Sequence, residues 1–192
     1  MTTDFLSIDF LLKAFDLKDE KRAGWLLRGV TDPESVADHS WGTAMFCWLY
    51  AGQEQVDRDR AISMALVHDI AEAEMGDVAT RAHPDEQTMS ADEKRRRERE
   101  AFGVVASLLP SPAARDELVS LWNEYEAAET VTARFVRDMN LCDMCAQALL
   151  YTSNRRSTSR LDEFFETSRP RLTTVTGKRL YREIEKRYRA LR

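Results

Sequence analysis

Seven glycines and five prolines are all that interrupt 192 residues. Between them apolar side chains recur every three or four positions, the period of an α-helix packed along one face. The stretch "FLSIDFLLKAF" sets Phe5, Ile8, Leu12 and Phe15 on one stripe. In "TDPESVADHSWGTAMFCWLYAG" Asp32 can cap a helix, Pro33 suits its first position and Glu34 favours its positive end. That helix is expected to reach about Ala51, with Gly52 ending it. "DRDRAISMALVHDIAEAEMGD" reads as a third helix, closed by Gly76. Residues 78–90, broken by Pro84, read as a loop, and Ser90 with Glu93 as a capping box opening a helix to about Leu109. Helices over about 113–128, 131–152 (capped by Thr130), 160–168 and 174–190 follow. With no strand pattern and no repeat, the expectation is a single all-α domain over residues 1–192, a bundle of about seven or eight helices.

Charge and composition exclude several classes. A net charge of −5 leaves no surplus of Lys and Arg to offset phosphates along a duplex, so nucleic acid is not an expected partner. A local basic pocket for one phosphate remains compatible with it. No apolar run approaches the ~18 residues of a membrane span, and the N-terminus, interrupted by Asp4, Asp9 and Lys13, lacks the pattern of a signal peptide. Cys47, Cys142 and Cys145 are an odd number and suit a reducing cytoplasm. Cys142 and Cys145 have no second pair to complete a four-sulfur zinc site, and in a helical stretch they read as small packing residues. The block "DEKRRRERE" reads as a solvated helix face.

The chemistry concentrates in "ALVHDIAEAEMGDV", where His68 and Asp69 stand side by side ahead of Glu72 and Asp77. Successive helical positions are about 100° apart, so the pair meets a metal only over the edge between them. A divalent ion asks for three or more converging N/O ligands, and the chain holds three histidines. His39, in "SVADHSW", lies on the preceding helix, and an antiparallel hairpin can bring it to the pair. Alone, a histidine there is more often a hydrogen-bonded core residue. His83 reads as a loop residue with no role. Glu72, one turn beyond His68, is either a salt-bridge partner or a carboxylate that orients a ligand or the attacking water. Asp77 either caps a turn or serves as a general acid or base.

Taken together, "GWLLRGV", "PESVADHS", "ALVHDIAEAEMGD" and "ARFVRDMN", spread over about residues 20–150, resemble the HD-domain phosphohydrolase superfamily, in particular its small 5′-deoxynucleotidase branch. The C-terminal helices, about 160–190, add little to the likeness. The resemblance implies an all-helical domain with one divalent metal ion, cobalt, manganese or zinc, with iron and magnesium as further options. It implies a homodimer that removes the 5′ phosphate from nucleoside monophosphates, chiefly deoxynucleotides. It assigns His39, His68 and Asp69 as metal ligands, and Glu72 and Asp77 as acidic residues that support the site and activate water. Arg22 and Arg28 match positions that contact phosphate or close the pocket. Trp25 can cover sugar or base, or equally be a core aromatic.

Two departures qualify the likeness. The family's fourth ligand is an aspartate, and Asn140 stands in its place, a neutral and weaker donor. Asp138 points to the opposite face of that helix, while Asp143, a turn further on, shares the face of Asn140. Relatives also carry a proline after the Gly-Asp pair, where this chain reads "GDVAT". These changes keep two further readings open: a specialised paralogue acting on another small phosphate ester or a modified nucleotide, and a non-catalytic nucleotide-binding module.

Overall fold

The computed structural model describes residues 7–79, 89–157 and 160–191. Its elements are α1 (Ile8–Phe15), α2 (Ala23–Leu27), α3 (Val36–Glu54), α4 (Arg58–Val67), α5 (Glu72–Met75), α6 (Ala91–Ser107), α7 (Pro112–Ala127), α8 (Val131–Ser153), α9 (Asp162–Ser168) and α10 (Val175–Ala190). Single 3-10 turns occupy Asp16–Lys18 and Arg169–Arg171. Among the described residues there is no β-strand, so the all-α expectation holds. No helix among them is long and apolar enough to cross a membrane. His83 and most of the 78–90 loop lie outside the described residues.

α8, 23 residues long, runs through the centre of the fold. It buries Phe135, Met139, Cys142, Cys145 and Ala148, none with exposed surface. Phe135 and Met139 each contribute about 1.5–3 kcal/mol when removed from water. α3 and α4 meet it through small side chains, among them Ala44, Cys47, Ala51, Ala61 and Ala65. Residues this small let helix backbones approach closely, which is the packing role expected of the cysteines. A second cluster lies between α6 and α7, where Phe102 stacks on Trp122 at 4.2 Å.

Helix boundaries depart from the sequence reading at three places, each for a local reason. α3 begins at Val36 because Ser35 and Asp38 form a reciprocal capping box, with both backbone N–H groups bound by the partner side chain. Asp32 could satisfy only one such donor, and it stands outside the helix at φ 48°. The helix also passes through Gly52, around which there is open space, and stops when Gln55 turns left-handed at φ 56°. The expected third helix is broken: α4 ends at Val67 and α5 begins at Glu72. Between them Ile70 and Glu72 bond three residues back, to Val67 and Asp69, and the chain tightens through the His68–Asp69 pair. Thr130 caps α8 as expected, its Oγ1 accepting from the Ala133 N–H at 3.0 Å.

Candidate metal centre and its cavity

His39 lies on the buried face of α3, opposite α8. Its Nδ1 is 2.7 Å from Asp143 Oδ2 on α8. His68 terminates α4, and its Nδ1 is 2.7 Å from the Ala65 carbonyl. Both partners are acceptors, so both rings carry their proton on Nδ1 and leave a lone pair on Nε2. Those two Nε2 atoms are buried and have no hydrogen-bond partner among the described residues. Buried nitrogens are rarely left so.

Both bare nitrogens face Asp69. Its Oδ2 is 3.1 Å from His68 Nε2 and 3.9 Å from His39 Nε2. One donor atom from each of the three residues lies within 4.8 Å of the others. Burial, reinforced by the Arg22 charge, pushes the His39 pKa down to about 3, so the imidazole stays neutral. Burial opposes ionisation of Asp69, but His68, Arg22 and His39 outweigh it and hold the carboxyl well below its usual range. Two imidazole Nε2 atoms and one carboxylate, converging without a hydrogen-bond donor between them, are a donor set for zinc or a related divalent ion.

The contact between His39 and Asp143 depends on a glycine. A Cβ on Gly42, one turn along α3 from His39, would lie 2.8 Å from Asp143 Cγ. Any side chain there would force the carboxylate off the imidazole. Burial pushes the Asp143 pKa up to about 7. Its carboxylate sits on the Nδ1 side of His39, behind the ring relative to Asp69. Asn140, a turn earlier on α8, lines the cavity instead, its amide nitrogen donating to Tyr125 Oη at 2.8 Å. The Tyr125 ring meets His68 edge-on, with centroids 5.1 Å apart.

Arg22 joins the acidic groups. Its Nη1 is 3.3 Å from Asp69, 3.6 Å from Glu72 and 3.5 Å from Asp77. Burial alone would lower the pKa of this guanidinium, but the three carboxylates hold it well above its usual value. Glu72 opens α5 and is buried, with Oε2 bare. Burial, with Asp69 and Asp77 adding like charge, raises its pKa well above the ordinary carboxylate value. Asp77 follows Gly76, whose φ of 75° lets the chain turn back. Its Oδ2 accepts from the Ala23 N–H at 2.7 Å, at the start of α2. Asp77 therefore caps a helix and faces the cavity at once.

These residues form one wall of a cavity of about 380 Å³, within the size range of small-molecule sites. Trp25 reaches its floor but is 1% exposed. It stacks on Phe164 at 3.8 Å and donates from Nε1 to Glu34 at 2.8 Å, so its body belongs to the core. Arg28 pairs with Glu163 of α9 and is not among the lining residues. The sequence reading missed the partnership of Asp143 with His39, the place of Tyr125 and the reason for Gly42. An isolated glycine inside a strong helical pattern was the one available signal for the last of these.

The chain matches the HD domain family over residues 14–179. It is 34% identical over 178 residues to the human 5′-deoxynucleotidase HDDC2, an alignment that covers 93% of this chain and 84% of that protein. Among solved structures, the PH0347 protein from Pyrococcus horikoshii OT3 superposes with a TM-score of 0.75 at 30% identity, over 96% of this chain and 99% of that one. The cyanophage S-2L HD phosphohydrolase DatZ, bound to dA and one catalytic Zn2+ ion, has a TM-score of 0.59. At 16% identity over 93% of this chain and 96% of its own, it shares the fold.

Proposed function

The chain belongs to the HD domain family, and from that membership we propose that it is a metal-dependent phosphohydrolase removing the 5′ phosphate from deoxynucleoside monophosphates. The observation that supports this most is the pair of bare, buried Nε2 atoms facing Asp69 at one end of a nucleotide-sized cavity. His39, His68 and Asp69 would hold the ion. Asn140, its amide nitrogen tied to Tyr125, has Oδ1 left as a neutral fourth donor. When bound, a divalent ion of the zinc, cobalt or manganese kind supplies Lewis acidity toward a phosphoryl oxygen.

The remaining work falls to side chains of this chain. Phosphate-monoester hydrolysis needs charge neutralised on the phosphoryl oxygens and a water placed in line with the leaving oxygen. The hydrogen bonds of Arg22 to carboxylates run through Nη1, so the other nitrogens of its planar fork can donate to phosphate. Two carboxylates move protons. Asp77, fixed by the Ala23 N–H, takes the proton of the attacking water. Glu72, whose pKa burial and the like charges of Asp69 and Asp77 raise, gives one to the departing sugar oxygen. The products are the nucleoside and inorganic phosphate.

Phosphate release from a panel of deoxynucleoside monophosphates, with cobalt or manganese added, tests this reading. The native protein is expected to turn over, and Asn140→Asp to bind metal severalfold more tightly because an anion replaces a neutral ligand. Turnover by Asn140→Asp alone would move the natural activity to another phosphate ester. No turnover by either protein would reject the hydrolase.

We also infer a homodimer built on α3. Trp41, Met45, Trp48 and Leu49 recur at helical spacing and are exposed, Trp41 by 65% and Trp48 by 52%. Apolar surface gathered in this way marks an interaction site. Light scattering should give twice the 22.1 kDa chain mass for the native protein and the single mass for Trp48→Glu. A native monomer at micromolar concentration would dismiss the interface.

A further inference from the structure

Asn140 has two unlike ends, and a metal ion can use only its oxygen. A carboxylate presents two equivalent oxygens, so whichever one it turns to a cation is a ligand. An amide presents one oxygen and one NH2 group, which carries two donors and no lone pair to give. Where asparagine stands at a ligand position, its rotation decides whether it binds an ion at all. Here Asn140 Nδ2 donates to Tyr125 Oη at 2.8 Å, and among the described residues no donor reaches Oδ1. A phenol oxygen serves either end of an amide. The cation decides between them, because it repels N–H and attracts Oδ1, and Tyr125 supplies the partner that the outward Nδ2 then needs.

Tyr125 is itself held on two sides. α7 ends just past it, where Ala128 turns left-handed at φ 54°, and the carbonyls of its last turn lack helical partners. Arg137 of α8 takes two of them: its Nε donates to the Tyr125 carbonyl at 3.0 Å and its Nη2 to the Glu126 carbonyl at 3.4 Å. The same guanidinium lies over the Tyr125 ring, 5.0 Å from its centroid. A further contact of the ring is His68, which it meets edge-on. Arg137 and Asn140 are one turn apart on α8, so the helix that carries the amide also fastens the tyrosine that meets it.

The neighbours of the amide tie it to both histidines. Tyr125, its hydrogen-bond partner, touches His68. Asp143, one turn further along α8, holds His39 Nδ1 at 2.7 Å. Asn140 and Tyr125 also line the cavity that Asp69 lines. A binding group supported in this way keeps its direction.

We propose that Tyr125 is a positioning residue of the metal centre: its hydroxyl holds the Asn140 amide with Oδ1 turned to the ion, and so makes a ligand of an asparagine. The proposal rests on the reading of Asn140 as the neutral fourth donor. Two effects act in the same direction. An amide fixed beforehand loses less freedom when the ion binds. The bond from Nδ2 also polarises the amide toward its oxygen, which becomes the better donor. An aspartate at this position needs neither effect. Its second oxygen would accept the phenol O–H instead, and that bond draws electron density away from the ion.

A double-mutant cycle read by metal affinity tests this. Cobalt(II) is titrated against a competing chelator, without substrate, into the native protein, Tyr125→Phe, Asn140→Asp and the double variant. Phenylalanine keeps the ring against His68 and removes the hydroxyl alone. Tyr125→Phe should weaken cobalt binding about tenfold where residue 140 is asparagine. In the Asn140→Asp background the same change should weaken it by no more than about twofold, the scatter of independent sites, or tighten it. The visible absorption of bound cobalt follows the number and kind of its ligands. It should differ between the native protein and Tyr125→Phe, and agree between Asn140→Asp and the double variant. An equal loss in both backgrounds would overturn the proposal and leave Tyr125 as packing for His68. Native affinity in Tyr125→Phe would overturn it as well. A native protein that binds cobalt and releases no phosphate would defeat the hydrolase reading alone, because the cycle needs no turnover. A native protein that binds no cobalt would overturn both.

Discussion

Replacing His68 with alanine leaves the protein folded and without its metal ion. His68 gives the centre one of its two imidazole nitrogens, and with it gone only His39 and Asp69 remain of the clustered donors. One imidazole and one carboxylate, with the neutral Asn140 amide as the only further donor, are a weaker set than the three imidazole, thiolate or carboxylate ligands of catalytic zinc-type sites. The residue is 3% exposed, so some stability goes with the lost ring, within the usual range for a buried point change, about 0.5–3 kcal/mol. Metal content measured after gel filtration should drop from near one ion per chain to background. A thermal melt gives a readout independent of turnover. At a hundredfold excess of ion over Kd, binding stabilises the native fold by about 2.7 kcal/mol, and the melting temperature of the variant should not respond to added ion. A variant that retains a full complement of metal would strike His68 from the ligand set.

Asp77→Ala should keep its metal and lose its turnover. Asp77 does not belong to the clustered donors, so ion content should match that of the native protein. Loss of a positioned acid or base lowers kcat by about 10²–10⁴. The same change also takes the acceptor from the Ala23 N–H, which alone destabilises by about 0.5–2 kcal/mol. Asp77→Asn separates the two effects. Its amide oxygen can still accept from Ala23, but it cannot take a proton from water. The expected pattern is kcat lost in both variants and melting temperature lowered mainly in the alanine one. Near-native kcat in Asp77→Asn would reduce Asp77 to a helix cap.

Much of the fold was legible because helices announce themselves locally. Thr130 ahead of α8 and Ser90 ahead of α6 accept the N–H groups expected of them. Errors arose where two local signals competed. Asp32-Pro33 looked like a helix start, but Ser35 with Asp38 satisfies two donors rather than one. The break after Val67 escaped notice because its apolar spacing continues unbroken, while the backbone shifts to bonds three residues back.

At the site, residue types in the short motifs were visible and contacts between distant helices were not. The sequence brought His39, His68 and Asp69 forward as one group, and they do lie together. That Asp143 backs His39 could not be read, because a span of 104 residues separates them. Arg28 matched its motif by position, yet the local turn directs it to Glu163 and out of the cavity lining. Motif spacing constrains neighbours on one helix. It carries no information about which way the next helix crosses.

The tight fit between Gly42 and Asp143 also governs how such a sequence can vary over generations. With a Cβ at position 42 only 2.8 Å from Asp143 Cγ, neither site is free to drift on its own. A first step at 42 dislodges the acid, and a first step at 143 strips His39 of its support. A lineage that acquires bulk on α3 at this point must exchange the acid on α8 along with it, and the two columns of an alignment should change as a pair.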